Sequence, residues 1–172
     1  MNVVVAETFK YAIEKFRREK FRRSGLIWWS LCDMWPMGFN YSVVDFNLRP
    51  KLPFYWIKAS QQARVLLGRE NWAGNLELTG VNDTLNLFTG SVKIFIVTPT
   101  GRKILQKTLS FEIPANSSME IGLIPIPSIH PASLFWLEWE GGRNHILSGS
   151  PPYSYEVWNA YRQFLEAEYR TL

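Results

Sequence analysis

The spacing of apolar and polar positions changes character along the chain. From residue 3 to about 22, Val5, Phe9, Ala12, Ile13 and Phe16 recur at intervals of three and four, which predicts a helix with one apolar stripe. A basic end and then Ser24-Gly25 stop it. Residues 25–31, Gly-Leu-Ile-Trp-Trp-Ser-Leu, are apolar at nearly every position, which predicts a strand buried on both faces. The loop 32–51 follows and carries Trp35, Phe39, Tyr41, Asp45 and Phe46. A loop so long and aromatic in a compact domain either covers something or serves function. Pro53 then opens a second helix, 54 to about 63, because a first helical turn does not miss its N–H.

From Arg64 the pattern becomes short alternating runs: 64–67, 75–81, 91–97, 103–113, 119–124, 134–140 and 145–147. Val92, Ile94 and Ile96 alternate against Lys93, and turn residues such as Asn82-Asp83 and Gly141-Gly142 separate the runs. About seven strands at this spacing predict an antiparallel sandwich of immunoglobulin type. With no cysteine pair, its two sheets are expected to be held by packing alone. Pro151-Pro152 ends it, and a last helix, 154–169, is expected to bury Val157, Trp158, Tyr161 and Leu165. The predicted fold class is therefore mainly β with α: a helix–strand–helix segment, 1–63, then a sandwich with a closing helix, 64–172.

Composition changes this picture little. Hydrophobic residues make up 47% and charged residues 20%, so the chain can bury a core. The net charge of +4 raises a nucleic-acid reading, but its location removes it. Residues 10–23 hold seven Lys/Arg against Glu14 and Glu19, a local +5, so the rest sums to about −1. The basicity belongs to one helix end, where cations suit the last free carbonyls. No apolar run is long enough for a membrane helix. Met-Asn-Val-Val-Val-Ala-Glu has no basic region, apolar core and cleavage site, so it does not read as a signal peptide.

The candidate chemistry is sparse. Cys32 is the single cysteine and has no partner for a disulfide or metal cluster. His130 and His145 lack metal-ligand spacing and read as turn or packing residues. No Gly-x-Ser-x-Gly elbow or phosphate loop occurs, and no cofactor is expected. Trp136 and Trp139 fall on opposite faces of one predicted strand: one is expected in the core, the other as an exposed sugar-binding ring or a contact to a further domain. Three Trp and Asp33 cluster near the end of the predicted strand 25–31, where an α/β barrel places its ligand site. Flat Trp rings suit the apolar C–H faces of sugars.

The residues Ala6-Glu7, Phe9-Lys10-Tyr11-Ala12-Ile13-Glu14, Gly25-Leu26-Ile27-Trp28-Trp29-Ser30-Leu31-Cys32-Asp33-Met34-Trp35-Pro36, Val44-Asp45-Phe46 and Arg49-Pro50-Lys51-Leu52 together resemble the end of the catalytic barrel in glycoside hydrolase family 2, in particular its β-mannosidase branch. Arg143-Asn144-His145-Ile146-Leu147 and Pro151-Pro152-Tyr153 resemble the terminal sandwich of the same enzymes. The resemblance implies that 1–63 is the seventh helix, eighth strand and eighth helix of a (β/α)8 barrel. It implies the C-terminal part of a retaining exo-glycosidase cleaving terminal β-glycosides, with two Glu whose carboxyl groups lie about 5–5.5 Å apart. Both family Glu precede this segment, so Glu7, Glu14 and Glu19 are not assigned catalytic roles, and the chain alone is expected to be inactive.

On this resemblance Trp29 matches the barrel tryptophan that walls the sugar subsite, with Trp28 the alternative by one residue of register; only one of the two can face the site. Asp33 matches the Asp of the motif, and either bonds a sugar hydroxyl or clasps the loop through an Arg or backbone N–H. Cys32 and Ser30 stand where relatives often carry Asn and Gln. The implied partners are a carbohydrate substrate in the full-length enzyme and the missing barrel portion, with no nucleic acid and no membrane. Any export signal of a secreted or periplasmic parent would lie upstream. The competing readings are a non-catalytic carbohydrate-binding sandwich, which needs a row of exposed aromatics, and a structural interaction module that forms a homo-oligomer. Residues 1–63 are expected to fold back on the sandwich or pair with another molecule.

Overall fold

The computed structural model describes residues 2–37, 40–127, 132–149 and 154–169. Phe39, His130 and Pro151-Pro152-Tyr153 lie outside the described residues. The elements are, in order, α1 (Asn2–Arg18), α2 (Leu52–Ser60), β1 (Arg64–Glu70), β2 (Asn75–Asn82), β3 (Phe88–Val97), β4 (Lys103–Ile113), β5 (Ser117–Pro125), β6 (Ala132–Trp139), β7 (Gly142–Gly149) and α3 (Tyr155–Tyr169). They divide into two compact units, one spanning Ala63–Phe164 and the other Met1–Gln62 with Leu165–Leu172.

The unit from Ala63 to Phe164 is an immunoglobulin-like antiparallel sandwich. One sheet has the order β1-β2-β5 and the other β4-β3-β6-β7. All seven predicted runs are strands, most of them longer than predicted. β3 starts at Phe88 because β4 continues to Ile113 and supplies ladder partners as far as Phe88. Between the sheets Leu66, Leu76, Leu78, Ile94, Ile113, Phe135 and Leu137 are fully buried. Each such side chain contributes roughly 1.5–3 kcal/mol of burial. Gly80 on β2 makes room for Ile113: a Cβ there would collide with the Ile113 side chain.

Packing is not the only tie between the sheets, contrary to the sequence expectation. The buried Asn144 of β7 donates from Nδ2 to the Leu66 carbonyl of β1 at 2.9 Å. Glu70 of β1 accepts from the Ser148 hydroxyl at 2.7 Å and the Gly149 N–H at 3.0 Å. These bonds join edge strands of different sheets and satisfy groups that burial would otherwise penalise.

Trp136 and Trp139 do point to opposite faces, but neither is exposed, which corrects that expectation. Trp139 lies in the inter-sheet core, its indole over Gly142, the residue paired with it across the hairpin. Trp136 is covered by Phe164, with ring centroids 5.3 Å apart and edge to face. Its Nε1–H donates to Glu138 at 2.8 Å, and Lys103 binds the same carboxylate oxygen at 2.7 Å. The closing helix thus covers part of the sheet's second face, around Trp136. Within it Tyr161 and Leu165 are buried, while Val157 and Trp158 are half-buried rather than buried.

In the other unit, α1 stops at Arg18 rather than near 22. Phe21 has a φ of 70°, a left-handed conformation that no right-handed helix continues. Val3, Ala6 and Ile13 of α1 are buried. Lys10 and Glu14, also buried, pair at 2.7 Å, and Glu14 accepts from the Ser60 hydroxyl of α2 at 3.4 Å. Arg17 donates to the carbonyls of Ser60 and Gln62, the second at 2.7 Å. Part of the basic run therefore caps the C-terminus of a neighbouring helix. Trp56 of α2 packs at a tilt on Tyr169, centroids 6.1 Å apart.

Residues 25–31 form no strand, a correction to the prediction. A strand exists by pairing, and among the described residues none runs beside this segment along its length. Backbone bonds begin only at its end: Val44 N–H donates to the Leu31 carbonyl at 2.9 Å and Asp33 N–H to the Val44 carbonyl at 3.1 Å. They make one isolated parallel bridge, Cys32 with Val44.

Candidate functional site

The segment 26–32 keeps a strand's two-sidedness without a sheet. Leu26, Trp28, Ser30 and Cys32 are half-buried, and Ile27, Trp29 and Leu31 between them are exposed. Leu26 and Trp28 join a small cluster built on Ile13, Val43 and Ile57. Trp28 stands against Phe9 of α1, centroids 5.7 Å apart. Trp29, the next residue, is 82% exposed. Of the two candidate platforms, Trp28 packs inward and Trp29 faces outward. Met34, Trp35, Tyr41 and Phe46 add further exposed apolar surface from the loop that follows.

Asp33 does not join that outward surface. Its side chain is 1% exposed and its Oδ2 lies 2.7 Å from Lys51 Nζ. Oδ1 accepts from Asn40 Nδ2 at 2.9 Å and from the Ser42 hydroxyl, and Lys51 Nζ also donates to Ser42 Oγ at 2.7 Å. The bond from Lys51, then that from Ser42, hold the carboxyl below its ordinary range against the opposing effect of burial. The sequence pointed to Asp33 but not to these partners. Lys51 lies 18 residues away and Asn40 and Ser42 sit in an irregular loop, so no helical or strand period connects them.

A second clasp shapes the same loop. Asp45 accepts the backbone N–H groups of Asn47 and Arg49, both at 2.9 Å, and its other oxygen meets Arg49 Nε at 2.8 Å. The Arg49 backbone bond foremost keeps this carboxyl low. Lys51 N–H donates to the Val43 carbonyl at 2.9 Å, tying the loop's end to its middle. Cys32 Sγ lies 3.4 Å from the carbonyls of Asp33 and Asp45, so it is enclosed by loop backbone.

Two acidic residues of α1 and its end are held in ion pairs. Glu14 is buried against Lys10, and Glu19 pairs with Arg23 at 2.8 Å, a bond that lowers its pKa. Among the described residues no group of three or more His, Cys, Asp or Glu is placed to hold a metal ion, and no helix is long and apolar enough to cross a membrane. His145 is fully buried on β7 opposite Trp136. The arrangement offers an exposed aromatic surface with an electrostatically fixed loop behind it.

Residues 74–150 match the family described as the mannosidase Ig/CBM-like domain. A comparison with curated proteins gives no match. Among solved structures, the chain is similar to the crystal structure of beta-D-mannosidase from Dictyoglomus thermophilum, with 27% sequence identity and a TM-score of 0.72. The match covers 88% of this chain and 19% of that one, so the chain spans about a fifth of its relative's length. That coverage exceeds the 110 residues after Gln62 and therefore takes in much of 1–62 as well. The sandwich is a mannosidase-associated module, and the likeness extends past it into the unit that carries Trp29.

Proposed function

We propose that this chain closes the catalytic barrel of a retaining, exo-acting β-mannosidase-like enzyme of glycoside hydrolase family 2. The observation that carries this reading is the pairing, on one chain, of a mannosidase Ig/CBM-like sandwich with an exposed aromatic segment whose likeness to a mannosidase reaches beyond that sandwich. In this reading 25–46 completes the rim of the active site and the sandwich braces the barrel. Trp29 supplies a ring face to the sugar. Asp33, locked by Lys51 and Ser42, acts as the clasp behind it rather than as a hydroxyl acceptor. Trp28 holds the segment to α1. The acid and nucleophile come from preceding barrel strands, so the chain alone does not cleave glycosides.

The test is complementation. The pure chain should not turn over an aryl β-mannoside. Mixed with a family 2 mannosidase truncated before its seventh barrel helix, it should restore turnover. Trp29→Ala should lower the restored kcat/KM by about 100-fold, the order expected when one wall of a sugar subsite is removed. Turnover by the chain alone, or restoration indifferent to Trp29, would overturn the reading.

A further inference from the structure

Among the described residues of the sandwich, one large aromatic side chain is left wholly in solvent. Trp72, in the turn between β1 and β2, is fully exposed, whereas the tryptophans of β6 are buried. A solvated indole forgoes roughly 1.5–3 kcal/mol of burial or more, so its presence at this position calls for a use.

The turn beneath it is rigid. Asn71 N–H donates to the Asn75 carbonyl at 2.8 Å and Gly74 N–H to the Asn71 carbonyl at 3.1 Å. Asn71 Oδ1 accepts the N–H groups of Ala73 and Asn75, both at 3.0 Å. Gly74 supplies the left-handed φ of 72° that closes the turn, and its carbonyl accepts Ile126 N–H at 3.0 Å, anchoring the tip to the end of β5. The ring is thus held out on fixed backbone, and a ligand would not have to order the loop.

Planar polar groups stand on the same hairpin. Arg69 and Glu77 face each other across the hairpin and bond at 2.7 Å, and Asn71 Nδ2 reaches the other Glu77 oxygen at 3.1 Å. Arg69 engages through Nε while its side chain is more than half exposed, so the terminal guanidinium nitrogens are open to solvent. A protein-docking anchor normally stands inside an apolar patch with a polar rim. Here the ring's chain neighbours are Asn71 and Ala73, with Gly74 next, and Arg69 and Glu77 stand further along the same hairpin. One flat apolar face beside planar hydrogen-bonding groups matches a pyranose, which has a C–H face and a hydroxyl edge.

We propose that the β1–β2 hairpin tip is a carbohydrate-binding subsite, with Trp72 as the platform and Arg69, Asn71 and Glu77 as hydroxyl partners, taking a hexopyranose unit of a β-linked polysaccharide. It belongs to the sandwich unit, whereas Trp29 belongs to the other, and it does not rest on the barrel-closing role. Its use would be to hold polymer near the enzyme.

Native electrophoresis of the full chain through gels containing soluble galactomannan, mixed-linkage glucan or xylan tests this. Retarded migration is expected in at least one of them. Trp72→Ala should weaken the affinity by about tenfold or more, and Trp72→Phe should recover most of it. Trp72 is fully exposed, so the variants should unfold at the same temperature as the parent chain. Leu85→Ala, at an exposed position of the sandwich outside this turn, should leave retardation unchanged. Absence of retardation in every gel, equal retardation of Trp72→Ala, or loss with Leu85→Ala in its place would each overturn the proposal. Because complementation reads Trp29 and retardation reads Trp72, the two readings fail separately.

Discussion

Asp33 and Lys51 form a salt bridge at 2.7 Å, with the carboxylate 1% exposed and the ammonium 14% exposed. It joins the start of the aromatic loop to the residue just before α2, and the Ser42 hydroxyl lies between both charges. A buried pair is weak evidence of net stability, but breaking one strands the other's charge. Lys51→Met should therefore lower the melting temperature of the chain more than a surface Lys→Met such as Lys107→Met. Amide exchange at Val43, Val44 and Asp33 should speed up with it, while exchange in the sandwich stays as it was. Equal exchange at those three amides would show that the clasp does not hold the loop.

The same pair sets an acid limit. The carboxyl of Asp33 is lowered in the folded chain from the usual 3.8, first by Lys51 and then by Ser42. A depressed folded pKa means the unfolded form binds the proton more readily. The stabilisation is thus fully present above about pH 4 and fades as pH falls through the folded value. Acid titration followed by NMR of the Val43 and Val44 amides should show the loop loosening below pH 4, and Asp33→Asn should flatten that dependence. A loop that loosens between pH 5 and 7 would point to another group.

Trp28 and Trp29 are adjacent but should answer substitution in opposite ways. Trp28 packs on Phe9 in the small cluster of this unit, and Trp29 stands in solvent. Trp28→Ala should cost about 2–3 kcal/mol, somewhat less than a fully buried ring because Trp28 is half-buried. Trp29→Ala should stay within about 0.5 kcal/mol. Chemical denaturation monitored by circular dichroism separates them, and comparable losses would mean that Trp29 is packed too.

Gly80 should not tolerate a methyl group. Its Cβ would overlap Ile113 Cδ1 and come within 3.3 Å of Leu66 Cδ2. Gly80→Ala should destabilise the sandwich by about 1–3 kcal/mol, the usual cost of overpacking a tight core. Gly80→Ala combined with Ile113→Val should recover part of the loss. A double variant no better than the single would locate the strain elsewhere.

The sandwich was legible because each of its strands carries its own signal. Val92 and Ile94 against Lys93, and turn residues at 82–83 and 141–142, mark the elements without knowledge of their neighbours. The tie from Asn144 to Leu66 was not legible, since it joins residues 78 apart and no local pattern records it. The exposed Trp72 was equally silent, because a tryptophan in a turn has no period to read.

Sequence alone determined the helical stripe of α1, the seven strands and the aromatic run from Trp28 to Trp35, all of which follow from side-chain period and turn chemistry within a few residues. Only the tertiary structure decided that Trp28 packs while Trp29 faces out, that Asp33 is locked by Lys51, and that 25–31 stays unpaired. Those outcomes depend on what lies across space: a ring on α1, an ammonium 18 residues on, and the lack, among the described residues, of a strand running alongside. Hydrogen bonds and burial are settled between distant parts of the chain, and local pattern carries no record of the distance.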